Sequence, residues 1–201
     1  IASYRYGHLA AHCIESLLSQ TKAPDKILFV DDGAGDCTHL PAVYPEVEYV
    51  LREENLGTVD NFQDMLMRVQ TEYTMFLGAD NWLRSDAVEK LLEHNHLRDA
   101  DIITYEIMVT GEFKMRHPDA MFLDAIEDGD VRWRRNGHHG SIMYRTSFGQ
   151  AAGYAAKAGH QNACEDWELW DRMLANGATV THLNEPLLYY RRHRENFIKC
   201  Y

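Results

Sequence analysis

The chain has 201 residues, enough for one domain with a substantial core, and its apolar and charged fractions, 45% and 25%, are those of an ordinary globular protein. A formal net charge of −11 argues against general affinity for nucleic acid or an anionic membrane, and no stretch approaches the roughly 20 apolar residues of a spanning helix. Cys13, Cys37, Cys164 and Cys200 form no C-x-x-C pair, which excludes a disulfide framework or zinc site and points to a reducing compartment, the cytoplasm, with peripheral attachment at the inner face of the membrane as a variant.

The first residues, Ile1-Ala2-Ser3-Tyr4, read as the last half of a buried strand, which suggests a sequence lacking its first few residues or cut from a longer protein. LAAHCIESLLSQ, Leu9 to Gln20, places Leu9, Cys13, Leu17 and Gln20 on one helical face. Lys26 to Val30 is a continuous apolar strand of the kind covered on both faces, and Val47 to Leu51 is another. A helix follows over Thr58 to Val69, then a strand over Tyr73 to Leu77, then a helix capped by Ser85. Asp101 to Glu106 is the next strand, and 111–135 is poorly periodic. A strand at Ser141 to Tyr144, a helix from Glu165 to Ala175 and strands near Thr179 and Leu187 close the chain. Strands alternating with helices predict an α/β domain with a mainly parallel sheet.

Two strands end on carboxylates. KILFV runs into Asp31-Asp32-Gly33-Ala34-Gly35-Asp36, and YTMFL runs into Gly78-Ala79-Asp80-Asn81. Open α/β sheets place ligands at the carboxyl ends of their strands. A dinucleotide loop fails at the first turn, because the third glycine is replaced by Thr38 and carboxylates would face a pyrophosphate. A plain turn, or a helix cap at Asp80 or Asn81, remains the bland alternative. The other is that carboxylates at these ends hold a base, a ribose or a cation.

The order and spacing of IASYRYGHLAAHCIESLLSQT, ILFVDDGAGD, Glu54-Asn55-Leu56-Gly57, FLGADN, EDWELWDRM and YYRRHRENF carry a resemblance. Together they resemble the inverting family 2 glycosyltransferases of the GT-A fold, a Rossmann-like three-layer sandwich. The likeness runs nearly end to end. It implies a nucleotide-sugar-binding half over about 1–107 and an acceptor half over about 108–201.

What the resemblance implies falls on individual residues. Ala2 and Tyr4 sit where the family lines the nucleoside pocket, Asp31 where it reads base or ribose, and Asn55 and Gly57 match its N-x-G turn. Asp80 matches the last carboxylate of the D-x-D motif, which holds Mn²⁺ or Mg²⁺ on the donor diphosphate. The chain departs there: Gly78 replaces the first acid and Asn81 a common following one. Asp166 matches the general base, with Glu165 beside it; Trp167 and Trp170, three apart, are core or sugar-stacking residues. His193 completes the metal shell, and Arg191 or Arg192 neutralises phosphate oxygens by forked hydrogen bonds. A hard cation suits a departing diphosphate, and an ionised carboxylate suits an acceptor hydroxyl's proton.

The implied donor is a nucleotide-diphospho-sugar, with uridine the commonest base and thymidine or guanosine the others. The acceptor, whether glycan, lipid-linked or protein, is not written in the motifs. His138-His139 reads as acceptor-side loop or plain surface. A nucleotidyltransferase would carry a Gly-rich basic loop after its first strand, where Tyr4-Arg5-Tyr6-Gly7-His8 stands instead. A donor-binding relative without turnover is favoured only by Gly78.

Overall fold

Alternation along the central strands determines the layers. In the computed structural model, which describes residues 1–111, 115–116, 139–155 and 165–193, Ile103, Tyr105 and Ile107 of β6 (Ile102–Gly111) enter one apolar cluster and Ile102 the other. Phe29 and Val30 of β2 (Leu28–Asp31) divide in the same way. Successive strand side chains point to opposite faces, so each cluster is one face of the sheet.

Helices cover both faces. The first cluster takes Ala10, Cys13 and Ile14 of α1 (Gly7–Leu18), Leu40 of α2 (Leu40–Val43), and Ala87 and Leu91 of α4 (Ala87–Asn95). The second takes Met65 and Leu66 of α3 (Thr58–Arg68), the flank of α5 (Thr146–Ala152), and Leu169, Trp170 and Met173 of α6 (Glu165–Ala175). This is the expected three-layer α/β/α sandwich.

Strand pairing joins two parts. β1 (Ala2–Ser3), β2 and β3 (Glu48–Leu51) form a parallel sheet in the order β1-β2-β3. The remainder runs β4 (Tyr73–Met75), β8 (Met143–Arg145), β6, β9 (Val180–Arg192), β5 (Trp82–Leu83), with β7 (Met115–Arg116) beside β6. There β6 and β9 are parallel, and the β4–β8, β6–β8 and β5–β9 pairs are antiparallel. The parts are stitched together at Ala2, whose N–H donates to the Leu77 carbonyl at 2.9 Å and whose carbonyl accepts from Ala79 N–H at 3.0 Å. The chain after β4 thus runs beside β1.

Three local expectations differ. The strands near Thr179 and Leu187 are one strand, β9, with register shifts against β6 around Glu106 that accommodate Pro186. Ser85 does not cap α4: the N-cap is Asp86, without a side-chain cap bond, because its carboxylate is paired with Arg84. The strand from Tyr73 ends at Met75 as a ladder, and only an isolated bridge, Ala2 to Gly78, continues it.

Candidate active site at the carboxyl ends of the strands

The first acidic turn is held by its own carboxylates. Asp31 ends β2, is fully buried, and accepts from Ala34 N–H at 3.0 Å and Gly35 N–H at 2.9 Å. In this arrangement it shapes the turn. Asp32, also buried, accepts from Leu56 N–H and Gly57 N–H, each at 3.1 Å, while its carbonyl accepts from Asn55 Nδ2 at 2.9 Å. The N-x-G turn is therefore docked on Asp32, with Arg52 Nε 3.4 Å from the same carboxylate. Gly33 makes the docking possible: its φ is +81°, and a Cβ there would lie 2.4 Å from the Glu54 carbonyl carbon. Asp36 accepts the Gly7 N–H at the start of α1 at 2.8 Å.

Tyr4, at the end of β1, is 41% exposed, and the Arg5 guanidinium stacks 4.9 Å above its ring. Arg5 has φ of +65°, so the chain bends sharply where β1 meets the site.

The second acidic turn lies beside β1 and meets the far end of the chain. His193 Nε2 is 3.2 Å from Asp80 Oδ2, although 113 residues separate the two. Asn81 Nδ2 donates to Asp80 Oδ1 at 3.0 Å, and Asn81 Oδ1 accepts the Arg191 backbone N–H at 2.9 Å. Arg191 Nε donates to the Asp80 carbonyl at 2.9 Å, and its guanidinium lies 4.7 Å over the Trp82 ring. Trp82 in turn stacks with His12 and with Tyr189. The Tyr6 ring meets His193 edge-on at 5.5 Å. Arg191 is thereby committed to bracing the turn. Arg192, the last residue of β9, is half-buried.

The donor set fits a hard or borderline cation. With ligand bonds of about 2.1 Å, adjacent donors on an octahedral ion lie about 3 Å apart. The Asp80–His193 spacing matches that value, and a carboxylate with an imidazole suits Mn²⁺ better than Mg²⁺. Asp31, Asp36 and Cys37 also bring donor atoms within 4.8 Å of one another. Their chemistry does not fit: burial pushes the Cys37 thiol up to about 12, and Asp31 and Asp36 are already accepting backbone N–H bonds.

Asp166 stands in the first turn of α6. Its Oδ1 accepts the Trp167 N–H at 2.7 Å, and Oδ2 would lie 3.1 Å from a Cβ on Gly140, so a glycine clears the carboxylate's place. A helix start and an N–H bond both favour the charged form. Burial wins, aided by the negative charge of Glu165, and raises Asp166 from 3.8 to about 7. Glu165 is also raised, chiefly by burial. Trp170 is a core residue, fully buried, while Trp167 is half-buried. His139 is tied to the fold, its Nε2 donating to the Tyr105 carbonyl at 3.0 Å and its Nδ1 accepting from Ser141 N–H at 3.3 Å. His138 lies outside the described residues.

The structure thus brings Asp80, Asn81, Arg191 and His193 together beside Ala2, and separately groups Asp32 with Asn55 and Gly57. Asp32, Asp36 and Asn81 also hold the site together, through contacts the motifs alone do not assign. Asp32 and Asp36 lie in the same acidic turn as Asp31, but their partners lie 24 and 29 residues away. Only pairing of the turns shows which acid holds which.

The family model described as glycosyl transferase family 2 matches residues 1–154. The chain is 25% identical over 219 residues to EpsH of Bacillus subtilis (strain 168), whose name assigns it to the glycosyltransferases, covering all of this chain and 62% of that protein. It is 28% identical over 106 residues to the glycosyltransferase GlyG of Streptococcus pneumoniae serotype 4 (strain ATCC BAA-334 / TIGR4), covering 50% of this chain and 35% of GlyG. The crystal structure of S. aureus TarS 1-349 in complex with UDP aligns with a TM-score of 0.78 at 16% identity, over 95% of this chain and 59% of that one. Its complex with UDP-GlcNAc aligns at 0.74 and 13%, over 97% and 58%. The chain spans less than two thirds of the length of each of these relatives. Its fold is the GT-A fold of TarS, and the chain belongs to glycosyl transferase family 2.

Proposed function

We propose that this chain is the catalytic domain of an inverting glycosyltransferase that moves a sugar from a nucleotide-diphospho-sugar to an acceptor hydroxyl. The observation that carries the proposal is the approach of His193 to Asp80, 3.2 Å apart at a strand's carboxyl end in a family 2 chain. The UDP and UDP-GlcNAc complexes of TarS support a uridine nucleotide as donor. The nucleotide half is 1–107 and the acceptor half 108–201.

Asp80 and His193 would hold the cation, Mn²⁺ before Mg²⁺, which would offset charge growing on the diphosphate. Ala2, Tyr4 and the Asn55–Gly57 turn flank the nucleoside, and Asp31 serves it through the turn it builds. Arg192 meets the diphosphate, and Arg191 braces the Asp80 turn. Asp166 takes the proton of the acceptor hydroxyl. The oxygen attacks the anomeric carbon from the face opposite the diphosphate, and the carbon–oxygen bond to phosphate breaks with its electron pair on the leaving group. Asp166 then returns its proton to solvent. A carboxylate near 7 is a better base than an ordinary one and is still largely ionised at pH 7.5–8.

Gly78 is the one observation on the side of a donor-binding relative without turnover. Incubation with UDP-, dTDP- and GDP-sugars, with and without Mn²⁺, separates the two readings. Metal-dependent consumption of one donor class supports the enzyme. Metal-dependent binding without consumption would identify the inert relative, and no metal-dependent binding at all would remove the proposal.

A further inference from the structure

The departures at Gly78 and Asn81 are geometrically linked. A Cβ on Gly78 would lie 2.7 Å from Asp80 Oδ1 and 3.0 Å from Asn81 Nδ2. The space that a side chain at 78 needs is the space the Asp80–Asn81 hydrogen bond fills. Both residues are buried. The Arg191 N–H can only donate and an ionised carboxylate can only accept, so position 81 needs a donor and an acceptor on one short planar group. Asparagine meets both demands. Aspartate would still serve Arg191 but would set a like charge against Asp80 Oδ1, and a side chain at 78 would push the pair apart.

Arg191 is itself anchored, by the Asp80 carbonyl, by the Trp82 ring and by His12 Nδ1 at 3.0 Å. The Asn81 amide therefore hangs from a fixed strand end. It holds Oδ1 of Asp80 and leaves Oδ2 facing His193.

We propose that Asn81, seated over Gly78, is a positioning residue that orients the Asp80 carboxylate for the cation. The two lost acids of the motif are then a compensating pair, and the site works with one carboxylate because an amide fixes its direction. This rests on the metal reading of Asp80 given above. Its consequence is counter-intuitive: restoring an acid at 78 or 81 weakens metal binding.

The test uses Mn²⁺ titration followed by electron paramagnetic resonance in the presence of UDP, on the parent, Asn81→Asp and Gly78→Ala. Near-isosteric Asn81→Asp keeps the Arg191 bond and should fold; Gly78→Ala reaches the same carboxylate from the other side. Each should weaken Mn²⁺ by about 10–100-fold, the usual loss when a ligand's orienting partner is removed. In the metal-free protein, the Asn81 side-chain NH₂ resonances should shift in Gly78→Ala and in Asp80→Ala. Parental or tighter Mn²⁺ affinity in Asn81→Asp would make position 81 a bystander or a ligand and overturn the proposal. So would NH₂ resonances that ignore both substitutions. A parent that binds no Mn²⁺ with UDP, while those resonances respond, would instead remove the metal from the proposed function and with it the purpose assigned to the bond.

Discussion

Replacing Asp166 by asparagine should make the protein more stable and less active. Its carboxyl rises from 3.8 to about 7, so the native state holds the proton more tightly than the unfolded chain does. The stabilising effect of that proton is fully present below the unfolded value and is lost as pH climbs through the folded one. At pH 8 the ionised carboxylate therefore destabilises the fold. A rise of about three pH units at about 1.36 kcal/mol each sets a ceiling of about 4 kcal/mol. The group is half-buried, not sealed, and solvent screening halves this to about 2 kcal/mol. Asparagine has no charge to desolvate, so Asp166→Asn should gain about 2 kcal/mol at pH 8 and almost nothing near pH 4. Urea unfolding at both pH values reads this directly. Transfer should fall by about 10²–10⁴-fold, the cost of a lost general base, with donor affinity unchanged. Loss of stability at pH 8 would show instead that Asp166 is a stabilising acid at a helix start, and the reasoning about its base role would fail.

Asp80→Ala should keep the fold yet lose at least tenfold, about 1.4 kcal/mol, of Mn²⁺-dependent donor affinity in calorimetric titration; unchanged metal dependence would sink the ligand assignment. Asp31→Ala removes two charge-assisted turn bonds and should cost about 1–3 kcal/mol in chemical denaturation, with metal-free nucleotide binding weakened in step. Parental stability and affinity in that variant would leave the turn without need of Asp31. Gly33→Ala, forced to positive φ against Glu54, should destabilise by about 1–3 kcal/mol and loosen the Asn55–Gly57 turn, seen as increased amide exchange of Leu56 and Gly57; parental protection there would contradict the docking. In the parent, transfer should rise with pH through about 7 as Asp166 ionises, and a profile flat from pH 6 to 8 would assign the base elsewhere.

The layers were legible in the sequence because burial on both faces leaves continuous apolar runs such as KILFV, and because helical periodicity survives in LAAHCIESLLSQ and EDWELWDRMLA. α6 begins and ends where its pattern said, at Glu165 and Ala175. The antiparallel pairing was not legible: the strand expected at Ser141 to Tyr144 is β8, but its partners β4 and β6 lie at distant sequence positions. At the site, residue types at strand ends marked where chemistry would lie, but not how the acids divide their work. Asp31 turns inward because backbone N–H groups of its own loop capture it, whereas Asp32 captures a neighbouring loop. Arg191 looked free to meet phosphate in the run YYRRH, yet its register against Asn81, fixed by β9 pairing with β5, commits it elsewhere. Such assignments depend on long-range register, which no local pattern contains.

The stereochemistry of transfer is read by following the anomeric protons of a consumed UDP-α-sugar by NMR, with diamagnetic Mg²⁺ in place of Mn²⁺, in the parent and in Asp166→Asn. The parent should release product with the β configuration first, and Asp166→Asn should bind the donor but leave it intact. Product formed with retained α configuration, or parental turnover in Asp166→Asn, would contradict it.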